Sequence, residues 1–174
     1  MSQTLVKSLQ RHPDPPRALI IKHLLHANEV GRRAMNHGHH PFGAILVGPD
    51  DETVLIEQGN VSTVEHADTV LLQRAARDYS ADYLWDCTIF TSVEPCAMCA
   101  GTAYWANIGR FVFGMTEARL LEITGDHPEN PTMSVGAKYV FDHGQKPINL
   151  IGPVHEVEAE VASLHKSYWS RHSR

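Results

Sequence analysis

Apolar residues near the start of the chain recur at helical spacing. Ile20, Leu24, Ala27, Val30 and Ala34 repeat at three- and four-residue steps, which predicts an amphipathic helix. Asp14-Pro15-Pro16 marks its start, since proline is tolerated in a first turn, and Gly38 marks its end. The period then changes. Residues 42–47 and 53–57 are β-rich runs joined by Gly48-Pro49-Asp50-Asp51, a hairpin signal. A polar loop over 60–65 precedes a second helical pattern from His66 to Asp78, carried by Val70, Leu71 and Ala75. Residues 86–92 predict a buried strand, Pro95 opens a helix reaching Ala106, and 110–114 predict a further strand. A short helix over 116–121 and a Gly/Pro/acid loop over 125–131 follow, whereas 134–147 show no readable period. A fifth strand is expected at 148–151. The chain closes on a helix over 156–169, with Val157, Val161, Leu164 and Tyr168 on one face.

Strands and helices in this order predict an α/β fold: a mixed five-stranded sheet flanked by helices. With 174 residues, no internal repeat and no linker, a single domain over 1–174 is expected, with 1–13 as a flexible N-terminal arm. Apolar residues make up 43% of the chain and charged residues 20%, which excludes a disordered chain or a coiled coil. No apolar run approaches the roughly twenty residues of a transmembrane helix. The segment through Arg17 lacks the apolar core of a signal peptide, so a cytoplasmic protein without a membrane partner is expected. Fifteen Lys and Arg against twenty Asp and Glu give a net charge of −5. A nucleic-acid partner would call for a basic stripe, so a small-molecule substrate is the expectation instead.

The chemistry concentrates in Pro95-Cys96-Ala97-Met98-Cys99, with His66-Ala67-Asp68 upstream. A Cys-x-x-Cys at a helix start sets both sulfurs on the first turn, where the helix dipole favours thiolates. A histidine heading the preceding helix can add a third ligand. Three protein ligands leave one tetrahedral position open, as in catalytic rather than structural zinc sites. Asp68 is the nearest carboxylate in sequence for proton transfer. A Cys-x-x-Cys alone is also compatible with a redox pair. Cys87, the third thiol, reads as core packing.

These motifs resemble those of the cytidine-deaminase superfamily, whose zinc signature joins His-x-Glu to Pro-Cys-x-x-Cys. Pro41-Phe42-Gly43-Ala44, Asn60, His66-Ala67, Ser92-Val93-Glu94-Pro95-Cys96 and Tyr104-Trp105-Ala106 follow the bacterial guanine deaminases. Residues 108–114 instead resemble tRNA adenosine deaminases of the same superfamily. The resemblance implies that His66, Cys96 and Cys99 bind zinc and that Asp68, in place of the family's glutamate, carries protons. It implies that Asn60 and the Ala67 backbone amide contact the substrate, with Phe42 and Trp105 as apolar walls. For Phe42 and Trp105 the alternative is ordinary core packing, and for Asn60 a turn residue after Gly59. Some guanine deaminases of the family use a second acid after the fourth strand, for which Asp126 and Glu129 are the candidates here. The implied reaction is hydrolytic deamination of a small aminated heterocycle: guanine or a related purine, pterin or triazine. A cytosine-type or tRNA adenosine substrate is the alternative, and an inactive zinc-containing binding module the alternative of a different class. A homodimer is expected, built on the apolar faces of the helices over 17–35 and 156–169.

Overall fold

The computed structural model describes residues 9–170. In chain order the elements are α1 (Arg17–Asn36), β1 (Gly43–Val47), β2 (Val54–Gly59), α2 (Ala67–Asp78), α3 (Ala81–Asp86), β3 (Thr88–Val93), α4 (Ala97–Trp105), β4 (Arg110–Met115), α5 (Glu117–Thr124), α6 (Ala137–Asp142), β5 (Asn149–Ile151) and α7 (His155–Trp169). The strands form one sheet in the order β2-β1-β3-β4-β5. β1 runs antiparallel to both β2 and β3, while β3, β4 and β5 are parallel. This is the mixed five-stranded α/β sheet expected from the sequence.

Alternation along the strands divides the core into two layers. Ala44, Leu46, Ile89 and Phe111 face α2, α4 and α6, meeting Leu71, Leu72, Ala100, Ala103 and Phe141. Ile45, Val47, Phe90 and Val112 face the other way, against Ile20 and Leu24 of α1, Leu120 of α5 and Val157 and Val161 of α7. Every residue of β1, β3 and β4 is buried, because helices cover both faces of these central strands.

The apolar faces of α1 and α7 are thus spent inside the protomer. This corrects the expected basis for a dimer: both faces are already covered by the sheet and by each other. The expected N-terminal arm is described in part. Residues 1–8 lie outside the described residues, but residues 10–12 are held down. Trp85 Nε1–H donates to the Gln10 carbonyl at 3.2 Å, Arg11 donates to Asn149 Oδ1 at 2.7 Å, and Asn149 Nδ2–H donates to the His12 carbonyl. A buried asparagine must find such partners, and Asn149 finds them in this segment. No described helix is long and apolar enough to cross a membrane.

Close approach at two glycines seats α1 on β1. A Cβ on Gly43 would lie 2.2 Å from the Ala27 carbonyl and 2.3 Å from Gly31 N. Gly38, at φ +85°, then turns the chain away from the helix end. These two features bring Phe42 to the mouth of the site.

Candidate active site

His66 and Cys96 occupy equivalent places: His66 is the residue that caps the start of α2, and Cys96 the one that caps α4. The two helices pack side by side, so their N-termini converge. Cys99 adds the second sulfur from the first turn of α4. His66 Nδ1 lies 3.6 Å from Cys96 Sγ and 3.6 Å from Cys99 Sγ, and the two sulfurs are 3.6 Å apart. The other ring nitrogen, Nε2, donates to the Thr63 carbonyl at 3.1 Å, which leaves the Nδ1 lone pair facing the sulfurs.

Zinc with Zn–S bonds of about 2.3 Å and Zn–N bonds of about 2.0–2.1 Å needs donors about 3.5–3.8 Å apart in a tetrahedron. The donor triangle fits that requirement, and the donor set is that of a zinc site. Among the described residues no fourth His, Cys, Asp or Glu joins the group, which is the ligand count of a catalytic rather than a closed structural centre. Contact with the Cys99 sulfur, reinforced by His66, lowers the Cys96 thiol pKa to about 4. Cys99 is pushed up by the Cys96 sulfur and by burial. Cys87 stands apart, fully buried with its thiol donating to the Tyr83 carbonyl at 3.3 Å, and burial raises its pKa to about 12. It is a core residue, as the sequence reading has it.

Three carboxylic acids, Asp68, Glu94 and Glu117, share a cavity with this triangle. Asp68, on the first turn of α2, is 7% exposed. Burial pushes its carboxyl up to about 7, against a downward pull from the Thr91 hydroxyl. Glu117, the first residue of α5, lines the same cavity. Burial first, then the Cys96 sulfur and Glu94, raise it to about 8. Phe42, Val93 and Leu120 supply apolar walls, and Ala67 and Asn130 complete part of the lining. Ala67 opens α2, so its N–H is among the first four of the helix, which lack an intrahelical acceptor.

The structure separates the remaining sequence candidates. Asn60 is 4% exposed and lies in an adjoining cleft with His40 and Glu129, its amide donating to the Ser62 carbonyl at 3.1 Å. Trp105 is 82% exposed on the outer side of α4 and does not line the cavity of its own protomer, so it is neither core nor wall there. Asp126 is exposed and absent from the cavity lining, and Glu129 faces His40 at 3.4 Å in the adjoining cleft. The acid that does enter the cavity from beyond the fourth strand is Glu117. Its signal in the sequence is positional: in an open α/β sheet, ligands gather at the carboxyl ends of parallel strands, and Glu117 stands two residues past the end of β4.

Residues 19–115 match the cytidine and deoxycytidylate deaminase zinc-binding region. The chain belongs to that family. It is accordingly a zinc-binding, hydrolytic deaminase of carbon–nitrogen bonds. A probable cytosine deaminase of Schizosaccharomyces pombe is 32% identical over 157 residues, covering 86% of this chain and 91% of the relative. A guanine deaminase of Bacillus subtilis is 41% identical over 72 residues, covering 38% of this chain and 45% of the relative. A solved guanine deaminase from Nitrosomonas europaea superposes with a TM-score of 0.68 at 17% identity, covering 91% of this chain and 96% of that one. That last likeness shows the fold of the deaminase.

Proposed function

We propose that this deaminase hydrolyses a small aminated heterocycle, with guanine or a related aminopurine, pterin or triazine as the substrate. The observation that carries the reading is the pair of carboxylic acids, buried Asp68 and half-buried Glu117, raised towards neutrality beside the His66–Cys96–Cys99 triangle. His66 Nδ1, Cys96 Sγ and Cys99 Sγ would hold a zinc ion, which would supply the Lewis acidity that makes water a nucleophile at neutral pH.

The chain's own residues then do the rest. Asp68, titrating near 7, takes a proton from the attacking water and delivers it to the ring nitrogen. A further proton moved by the same carboxyl leaves with the amine, so water enters, a C–N bond breaks and ammonia departs. Glu117 gives the cavity a second carboxyl whose charge is disfavoured by burial, fitted to hold a proton at the far side of a purine ring. Its place directly after β4, at the carboxyl end of a parallel strand, sets it where a ligand of an open α/β sheet gathers. A second protonatable group there suits a purine, which has more ring nitrogens to hold than a pyrimidine. Phe42, Val93 and Leu120 exclude water from the ring faces, and the Ala67 N–H orients a polar ring atom.

Cytosine is the second reading, supported by the 32% identity to the S. pombe relative over 91% of its length. Ammonia release from zinc-loaded protein offered guanine, 2,6-diaminopurine, pterin and cytosine separates the two. Glu117→Gln should lower turnover of the preferred purine by about 10²–10⁴-fold with zinc retained. Release from cytosine alone, indifferent to Glu117→Gln, would discard the purine reading.

The functional form is a homodimer in the cytoplasm, where a site built on free thiols stays reduced. Support for the dimer comes from the outer face of α4. Met98 and Trp105 are exposed there, space around Gly101 is open, and the helix carries no charged residue. Such a face meets a copy of itself without like-charge repulsion.

A further inference from the structure

Thr69 stands one residue beyond Asp68, on the side of α2 that faces α4. Its hydroxyl oxygen lies 3.3 Å from Cys99 Sγ, and both residues are buried, at 6% and 1% exposure. A threonine hydroxyl within a helix has a local alternative, the carbonyl one turn back, yet here it is directed across the helix interface to sulfur. A thiolate carries no proton and can only accept, so once Cys99 is ionised the Thr69 hydroxyl is the donor.

The two sulfurs are not equivalent. Cys96 is partly exposed, at the mouth of α4 where the helix dipole favours its charge. Cys99 is buried a turn deeper and lines the same cavity as the Asp68 carboxyl. A buried charged group needs a hydrogen-bond partner, and Thr69 supplies one to this sulfur.

We infer that Thr69 is a positioning residue for the metal centre, donating a hydrogen bond that orients the Cys99 sulfur and draws electron density from it. The inference rests on His66, Cys96 and Cys99 being the zinc ligands. Groups that hydrogen-bond a metal ligand from outside are worth roughly 10–100-fold in metal affinity. Through the sulfur, Thr69 also sets how much negative charge the ligands place on the metal, and so how strongly the metal acidifies a bound water. A single helix thereby provides a ligand, a proton carrier and a ligand-tuning hydroxyl at three positions within four residues, His66, Asp68 and Thr69.

The test compares the parent, Thr69→Val, which keeps the side-chain shape without the hydroxyl, and Thr69→Ser, which keeps the hydroxyl without the methyl. Zinc affinity is measured by chelator competition, and sulfur-to-metal charge-transfer absorption is recorded on the cobalt(II)-substituted proteins. Thr69→Val should bind zinc at least about tenfold more weakly and move the charge-transfer band to lower energy, because a sulfur without its donor is more electron-rich. Thr69→Ser should restore both towards the parent. An unshifted band in Thr69→Val overturns the inference even if affinity falls, since packing alone would lower affinity. So does a Thr69→Ser protein that behaves like Thr69→Val. A parent that binds neither zinc nor cobalt with sulfur charge transfer would overturn the ligand assignment itself, and the inference with it.

Discussion

Glu94 Oε2 accepts the backbone N–H of Glu117 at 3.1 Å. Its other oxygen, Oε1, accepts the N–H of Ala137 at 2.9 Å. One carboxylate, placed immediately before Pro95-Cys96, therefore closes the open N-termini of both α5 and α6 and ties the second acid to the metal-binding turn. Replacing it with alanine removes two helix caps at once. Glu94→Ala should cost about 1–3 kcal/mol, measured by urea unfolding, and lower turnover as well because Glu117 loses its anchor. Glu94→Gln, which keeps one acceptor oxygen, should fall between the two. Unchanged stability in Glu94→Ala would refute the clamp.

The ligand assignment separates the three cysteines. Cys96→Ser and Cys99→Ser should lose zinc and unfold at lower temperature, because metal binding and folding are linked. Cys87→Ser should retain about one zinc per chain, since Cys87 is buried away from the triangle and bonded to the Tyr83 carbonyl. Metal analysis of the purified variants decides it. Full zinc in Cys96→Ser would contradict the site.

Much of this arrangement was legible in the sequence, and its limits have physical causes. The strands β1, β3 and β4 follow from short β-rich runs, and the His66–Cys96–Cys99 triangle from helix-start positions, which are local features. α3 and α6 were not foreseen. Each has six residues, too few for a helical period to show. α3 carries a local signal, Ser80 accepting from the Tyr83 N–H, but the first N–H of α6 is satisfied by Glu94, far away in sequence. Glu117 was missed for a related reason. Its cavity exists only once β4 lies beside β3, whereas Asp126 and Glu129 stand in a loop whose composition looks like a site. Trp105 matched its motif, and the exposure of its side chain is set by the whole outer face of α4.

Stability should respond to pH through His165. The ring is fully buried on α7, with Trp169 Nε1–H donating to its Nδ1 at 3.2 Å. Burial, with His40 nearby, lowers its pKa to about 3 from the usual 6.5. Between these values the unfolded chain binds a proton that the folded chain refuses, so stability rises with pH across that window. The contribution is complete above about pH 6.5 and disappears progressively towards pH 3. Denaturation curves at pH 7 and pH 4.5 should show a smaller drop for His165→Asn than for the parent. Equal drops would exclude His165 as the titrating group.

The α4 face gives a direct test of assembly. Sedimentation at micromolar concentration should report about twice the 19.4 kDa chain mass, and Trp105→Glu should shift it towards a single chain. A like charge then faces its own copy across the two-fold axis. A parent that sediments as a monomer would reject the dimer.

The central claim is that Asp68 carries the proton in a zinc-dependent deamination. Asp68→Asn preserves shape and the neighbouring ligands while removing the titrating group. Its turnover should be measured by ammonia release on the preferred base, with zinc content determined on the same sample and Asp68→Glu alongside. Zinc-replete Asp68→Asn should lose about 10²–10⁴-fold in kcat with little change in KM. Asp68→Glu, which restores the family's usual acid in a pocket shaped for a shorter chain, should fall between it and the parent. Near-parental turnover by zinc-replete Asp68→Asn would contradict the account and assign the proton to another group.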